Sequence, residues 1–250
     1  MADLKIEKFD RVATVIMDRP PVNALTLALF ENIFEVFQDL GTSFDVNCVI
    51  LTGAGTRAFC AGLDLNDSFS ATLAEDLKRR RAYSAVYHCK VPVIAAVNGP
   101  ALGAGSLLAS VCDIRIAADR ATFGLPEINV GRCGGGAHHG RLIPQGALRR
   151  MFFTGSPIST EEAYRIGLVD QIVKPVELLP AARALSAVIA SKSPLGLRLG
   201  KKVLNEIESV PFEEGYALEQ RYSAKLLETE DAKEAKRALI EKRMPVFVGR

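Results

Sequence analysis

Tryptophan is absent from this chain, and aromatic residues make up only 7% of its 250 positions. Its core must therefore be aliphatic, and a hydrophobic content of 48% is ample for one. An excess of one charge is also missing. Lysine and arginine number 31 against 29 aspartates and glutamates, a net +2, which excludes a general electrostatic grip on nucleic acid. No apolar run approaches the ~20 residues of a membrane span. The opening MADLKIEKFDRVATVIMDRP has early acids and no long apolar stretch, so it reads as a first strand, not a signal peptide. The five cysteines (48, 60, 89, 112 and 133) include no C-x-x-C pair. That pattern predicts reduced thiols in a cytoplasmic compartment, with neither a disulfide framework nor a zinc site.

Histidine is scarce as well. Two of the three, His138 and His139, are neighbours. On a helix they diverge by about 100° and cannot share a metal, so no metal is expected; one of them could line a cavity. A G-x-S-x-G elbow is lacking, since Ser106 in GAGSLLA has no final glycine, which argues against a serine hydrolase. Gly53-x-Gly55-x-x-Ala58 is nominally a dinucleotide fingerprint. The FCAGLDL that follows carries Gly62 where the helix should run, so a turn after a strand is the better reading.

What is present is an alternation of strands and helices. LKIEKFDRVATVIMD predicts a hairpin turning near Asp10 and Arg11. Leu25 to Leu40 has helical apolar spacing and stops at Gly41. NCVILTG, VPVIAAVNG and CDIRIAA read as short buried strands. Such alternation predicts an α/β domain with parallel pairing. The basic run Lys78-Arg79-Arg80-Arg81 is read first as a solvated helix face and second as a phosphate contact. Beyond about Pro175 four helices are expected, at 176–191, 194–207, 212–228 and 231–242, with Pro194 and Pro211 in first turns. The apolar stripes of the last two need a cover, from the body of the chain or from another subunit.

Two turns could present backbone N–H groups to a ligand. Ala61-Gly62-Leu63 is one. The other is the helix start near Ala104-Gly105, where Gly103 and Gly105 remove side chains and the first N–H groups lack acceptors. Together, Leu63 and Ala104 suggest a shared oxyanion hole. Glu127, in the apolar FGLPEINVG, is the candidate general acid or base; burial would raise its pKa from ~4.3 toward neutrality.

These residues carry a resemblance. RPPVNALT, TRAFCAGLDL, VNGPALGAGSLLASVCDIRIAADRATFGLPEINVG and TGSPISTEEAYRIGLVDQIV, in that order, resemble the signatures of the crotonase superfamily, the enoyl-CoA hydratase/isomerase group. The resemblance runs nearly end to end. It implies a crotonase-like spiral of ββα units over residues 1–190 and a C-terminal α-helical trimerisation region over 191–250, assembled as a homotrimer or dimer of trimers. It implies an acyl-CoA thioester substrate, with CoA as part of that substrate and no other cofactor. Position by position, it assigns the oxyanion donors to the backbone N–H groups of Leu63 and Ala104. Val22, Ala61, Asp64 and Leu65 fall along the CoA arm, and Gly103, Gly105 and Leu107 fall at the substrate.

One departure decides the expected chemistry. Hydratases of the group use two glutamates. The second matches Glu127, whereas the position of the first is Leu107. The family's C-terminal lysine near the CoA phosphate finds no clear counterpart in EKRMPVFVGR. A single carboxylate favours double-bond isomerisation. Hydration, with Ser106 or His138 in place of the second glutamate, is the alternative. A non-catalytic acyl-CoA-binding protein comes third.

Overall fold

The structure is a computed structural model that describes residues 3–64, 66–67 and 72–250. The hairpin forms where the alternation placed it. β1 (Leu4–Phe9) pairs antiparallel with β2 (Val12–Met17), and Asp10 and Arg11 take the left-handed backbone that a tight turn demands. The three buried runs become β3 (Cys48–Gly53), β4 (Val93–Val97) and β6 (Ile114–Ala118). With β9 (Gln171–Val173) they extend the sheet in the order β1-β2-β3-β4-β6-β9, parallel after the first pair.

Both faces of this sheet are covered at its centre, which explains why β3 and β4 are buried at every residue. Val49, Leu51, Val93 and Ala95 face the main core with Phe30, Ile33 and Phe37 of α1 (Leu27–Thr42). Cys48, Ile50, Ile94 and Ile116 face Leu178 and Ala182 of α7 (Leu178–Ala190).

Helix α1 departs from its expected bounds at both ends. Thr26 caps it, its hydroxyl accepting from the Leu29 N–H at 3.1 Å, while Leu25 stays extended in a parallel bridge to Leu63. Gly41 lies inside the last turn and does not end the helix. A Cβ there would stand 3.2 Å from the Lys90 nitrogen, so the glycine serves a close approach.

A second, small sheet joins β5 (Ala101–Leu102), β7 (Thr122–Gly124) and β8 (Ile158–Ser159). Bridges Leu25–Leu63 and Cys60–Ala101 prolong it toward the two turns singled out in the sequence. Four further helices surround the two sheets: α2 (Leu73–Tyr87), α4 (Gly136–His139), α5 (Gln145–Thr154) and α6 (Thr160–Arg165). Helix α3 (Ala104–Ser110) is buried along its whole length.

The C-terminal helices are α8 (Pro194–Ile207), α9 (Phe212–Leu227) and α10 (Glu230–Glu241). Pro194 opens α8 in its first turn as expected, but Pro211 is the cap residue before α9 and not within it. Helix α8 is pinned to the body. Arg198 donates to the Gly41 and Ser43 carbonyls at the end of α1, where a cation also meets the negative end of the helix dipole. Lys201 pairs with Asp113 at 2.7 Å. The expected division at residue 190 falls just after α7, the last helix packed on the sheet.

Candidate active site

The two expected turns meet. Cys60 and Leu102 are joined by a Leu102 N–H to Cys60 carbonyl bond of 3.0 Å. The start of α3 lies directly on the same strand: a Cβ at Gly105 would fall 2.1 Å from the Cys60 carbonyl oxygen. Gly105 was expected beside the substrate. It is instead the residue that lets two backbones touch, and it does not line the cavity. Gly62, at φ +110°, sits where a Cβ would be 3.2 Å from the Leu102 carbonyl oxygen and 3.9 Å from the Ala104 nitrogen.

The direction of the Leu63 amide follows from its bridge. Leu25 donates to the Gly62 carbonyl and accepts from the Asp64 N–H, at 2.8 and 2.9 Å. Those bonds use the groups flanking Leu63, so the N–H of Leu63 itself points away from Leu25. Ala104 opens α3, and its N–H has no acceptor within the helix. Gly103 precedes it at φ +49°. Leu63, Gly103 and Ala104 all line one cavity of about 850 Å³, a volume suited to a small-molecule ligand.

Glu127 lines the same cavity. It stands in a short 3₁₀ turn, Pro126–Val130, entered through Pro126 and closed by Gly131 in the left-handed conformation. Two glycines clear its path. A Cβ at Gly103 would lie 3.0 Å from Glu127 Oε1, and one at Gly134 would lie 3.5 Å from its Cγ. The Oε2 atom is shut off from solvent and has no hydrogen-bond partner among the described residues. Burial raises the pKa of this carboxyl above the usual value, against a weaker pull from its own backbone N–H and the charge of Arg132.

Leu107 lines the cavity as hydrocarbon. Ser106, one of the two candidates to replace the missing glutamate, is turned away. It is fully buried, its Oγ lies 3.0 Å from His139 Nε2, and it is not part of the cavity wall. His139 Nδ1 is 3.2 Å from the Gly135 carbonyl. That carbonyl can only accept, which places the ring proton on Nδ1 and makes Nε2 the acceptor from Ser106. His138, the other candidate, does line the cavity, edge-on to Tyr83 with ring centroids 5.2 Å apart. Burial first, and then the Arg141 charge, lower its pKa and keep it neutral.

Of the residues expected along the CoA arm, Ala61 lines the cavity while Val22 and Asp64 do not. The Val22 carbonyl accepts from the Ala61 N–H at 3.0 Å, and Asp64 is held by Arg19 at 2.5 Å. Leu65 lies outside the described residues.

One wall was missed. Helix α2 turns Asp76, Arg79, Arg80, Tyr83 and Tyr87 toward the cavity. A capping box, Thr72 with Glu75, marks its start and was visible in the sequence. The basic run splits as a consequence. Lys78 pairs with Glu31 and Arg81 covers the Phe34 ring, both on α1, whereas Arg79 is buried on the cavity side. The solvated-face reading therefore fails for Arg79. Tyr83 is buried, its hydroxyl 3.4 Å from the Ala104 carbonyl. At the far end Glu208 accepts from Tyr87 and, at 2.6 Å, from Arg141.

With this geometry in view, relatives can be compared. The sequence profile of the enoyl-CoA hydratase/isomerase family matches residues 7–250. The chain belongs to that family. Within it, the chain is similar to the short-chain-enoyl-CoA hydratase of Clostridium acetobutylicum, 36% identical over 95% of this chain and 94% of the relative. It is similar also to a (7aS)-7a-methyl-1,5-dioxo-2,3,5,6,7,7a-hexahydro-1H-indene-carboxyl-CoA hydrolase of Rhodococcus jostii, 35% identical over 87% and 86%. Among solved structures, an enoyl-CoA hydratase from Bacillus anthracis superposes with a TM-score of 0.95 at 32% identity, covering 99% of this chain and all of that one. The fold is the crotonase fold, and the protein is an enzyme of a family that acts on acyl-CoA thioesters. Among the described residues no helix is long and apolar enough to cross a membrane, and no cluster of three or more His, Cys, Asp or Glu could hold a metal.

Proposed function

We propose that this enzyme shifts the double bond of a 3-enoyl-CoA to the 2-position, with Glu127 as the single acid/base and the amides of Leu63 and Ala104 as the oxyanion hole. The observation that carries this reading is the cavity wall itself: Glu127 lies beside the amide turns, and the position of a second glutamate is hydrocarbon, Leu107.

The chemistry follows from those groups. The thioester carbonyl accepts from the two amides, which makes the C2 protons acidic. Glu127 removes one, and the electron pair is delocalised over the thioester oxygen, C2 and, through the C3–C4 double bond, C4, as a dienolate. Donors fixed in advance stabilise that charge, and losing one typically costs ~10²–10³ in rate. The protonated Glu127 then returns the proton at C4, so the double bond lies between C2 and C3 and the mass is unchanged. A raised pKa suits a carboxyl that must both take and return a proton near neutral pH. The reaction, as read, uses no cofactor beyond the CoA of its own substrate.

Hydration of a 2-enoyl-CoA is the second reading. It is favoured by the neutral His138 on the cavity wall, which could orient a water, and by relatives named as hydratases. Incubation with crotonyl-CoA and with 3-hexenoyl-CoA separates the two. Conjugation of 3-hexenoyl-CoA at constant mass, lost by about 10³-fold in Glu127→Gln, is the expected result. Water added to crotonyl-CoA with no isomerisation would replace this reading with the second.

A further inference from the structure

Three consecutive glycines, at 134, 135 and 136, run beside the candidate base. Gly134 packs on Glu127, where a Cβ would lie 3.5 Å from the carboxylate Oε1. Gly135 takes the left-handed conformation at φ +83°, and a Cβ on it would fall 2.4 Å from Leu125 Cδ2 and 3.0 Å from Leu107 Cδ1. The segment is thus wedged between the side chains at 107 and 125 and the carboxyl at 127. Glycine has more backbone freedom than any other residue, so a wall built from it keeps its place only where something ties it.

The tie is a buried pair. His139 donates to the Gly135 carbonyl from its backbone N–H at 3.0 Å and from Nδ1 at 3.2 Å. Its Nε2 accepts from Ser106 Oγ at 3.0 Å. Both side chains are fully buried, and neither lines the cavity. Ser106 is the third residue of α3, two positions after Ala104 and about 3 Å from it along the helix axis. No side chain caps this helix, and the Gly103 that precedes it packs on Glu127 Oε1. The helix start that carries the Ala104 amide and the glycine turn that backs Glu127 are therefore joined by a serine–histidine bond behind the cavity wall.

Proton transfer is sensitive to that spacing. The thioester oxygen sits at the amides while the C2 proton faces the carboxyl, and a misplacement of about 1 Å can cost about 10²-fold in rate. We infer that Ser106 and His139 are positioning residues: their hydrogen bond holds the Ala104 amide and the Glu127 carboxyl at the separation that proton transfer needs. The inference rests on the reading of Leu63, Ala104 and Glu127 given above.

The test compares Ser106→Ala, His139→Leu and the double variant, in turnover of 3-hexenoyl-CoA and in urea midpoint. Each single variant strands a buried partner and should lose stability. The double variant removes both polar groups and should regain most of that loss. Turnover should not follow stability: kcat should fall about 10- to 100-fold in all three, with KM within about threefold of the wild type. A kcat that returns with stability in the double variant would make the pair a matter of folding alone and overturn the inference. So would an unchanged kcat in Ser106→Ala, which deletes one buried atom and decides the case by itself should the leucine variants not fold. A raised KM at wild-type kcat would assign the pair to binding and also overturn it. No turnover by the wild type, or undiminished turnover in Glu127→Gln, would instead remove the reading on which the inference stands.

Discussion

Glu127 and His139 are adjacent in space to the same glycine-rich turn, yet burial gives them opposite tasks. Glu127 is half-buried on a cavity wall, and burial raises its pKa, which suits a group that takes and returns a proton. His139 is fully buried away from the cavity, and burial pushes its pKa down to about 4. It therefore remains a neutral link between Ser106 of α3 and Gly135. The depressed value has a consequence for stability. Between about pH 6.5, where the unfolded imidazole titrates, and about 4, the unfolded chain binds a proton that the folded chain refuses. Stability is thus lost as pH falls through that window. Urea midpoints near pH 7 and near pH 5 should drop more for the wild type than for His139→Gln; equal drops would show that this ring is not the acid-sensitive group. At this scale the sequence was informative where chemistry sits in contiguous motifs. Glu127, Gly103 and the Leu63 and Ala104 turns were readable because each is flanked by glycines whose purpose is local. Ser106 and Gly105 could not be placed from sequence because their partners, His139 and Cys60, are far away along the chain.

Elements with an amphipathic pattern were readable, and their ends were not. Helix α1 showed its apolar face in sequence, but its true start depends on Leu25 being claimed by Leu63, a contact 38 positions away. Helix α2 was read only as a solvated face at residues 78–81, because the side it turns to the cavity is polar, which hides the usual apolar stripe. Helices α8 to α10 were legible almost to the residue. The last two leave Phe212, Tyr216, Leu227, Leu239 and Ile240 exposed, more apolar surface than a free-standing helix pair normally shows. We read these side chains as an assembly face. Sedimentation equilibrium should give three or six times the chain mass; a monomer at micromolar concentration would contradict that reading.

At the scale of the whole molecule, a sheet buried on both faces serves as the rigid back of the site, and a second, smaller sheet draws the two amide turns together. The cavity they close holds Glu127, a hydrocarbon side chain at residue 107, and a polar wall from α2. The parallel order of the strands was foreseeable from their alternation with helices. The cavity was not, since its walls come from segments as distant as residues 61 and 208. The proposed isomerisation begins with one event, removal of a proton from C2 of a bound thioester. Incubation of the enzyme with 3-hexenoyl-CoA carrying two deuterium atoms at C2, followed by mass spectrometry and proton NMR, observes that event directly. The account predicts that one deuterium leaves C2, for C4 or for solvent, with the wild type and about 10³-fold more slowly with Glu127→Gln; both deuterium atoms retained at C2 by the wild type, or an undiminished rate in the variant, would contradict it.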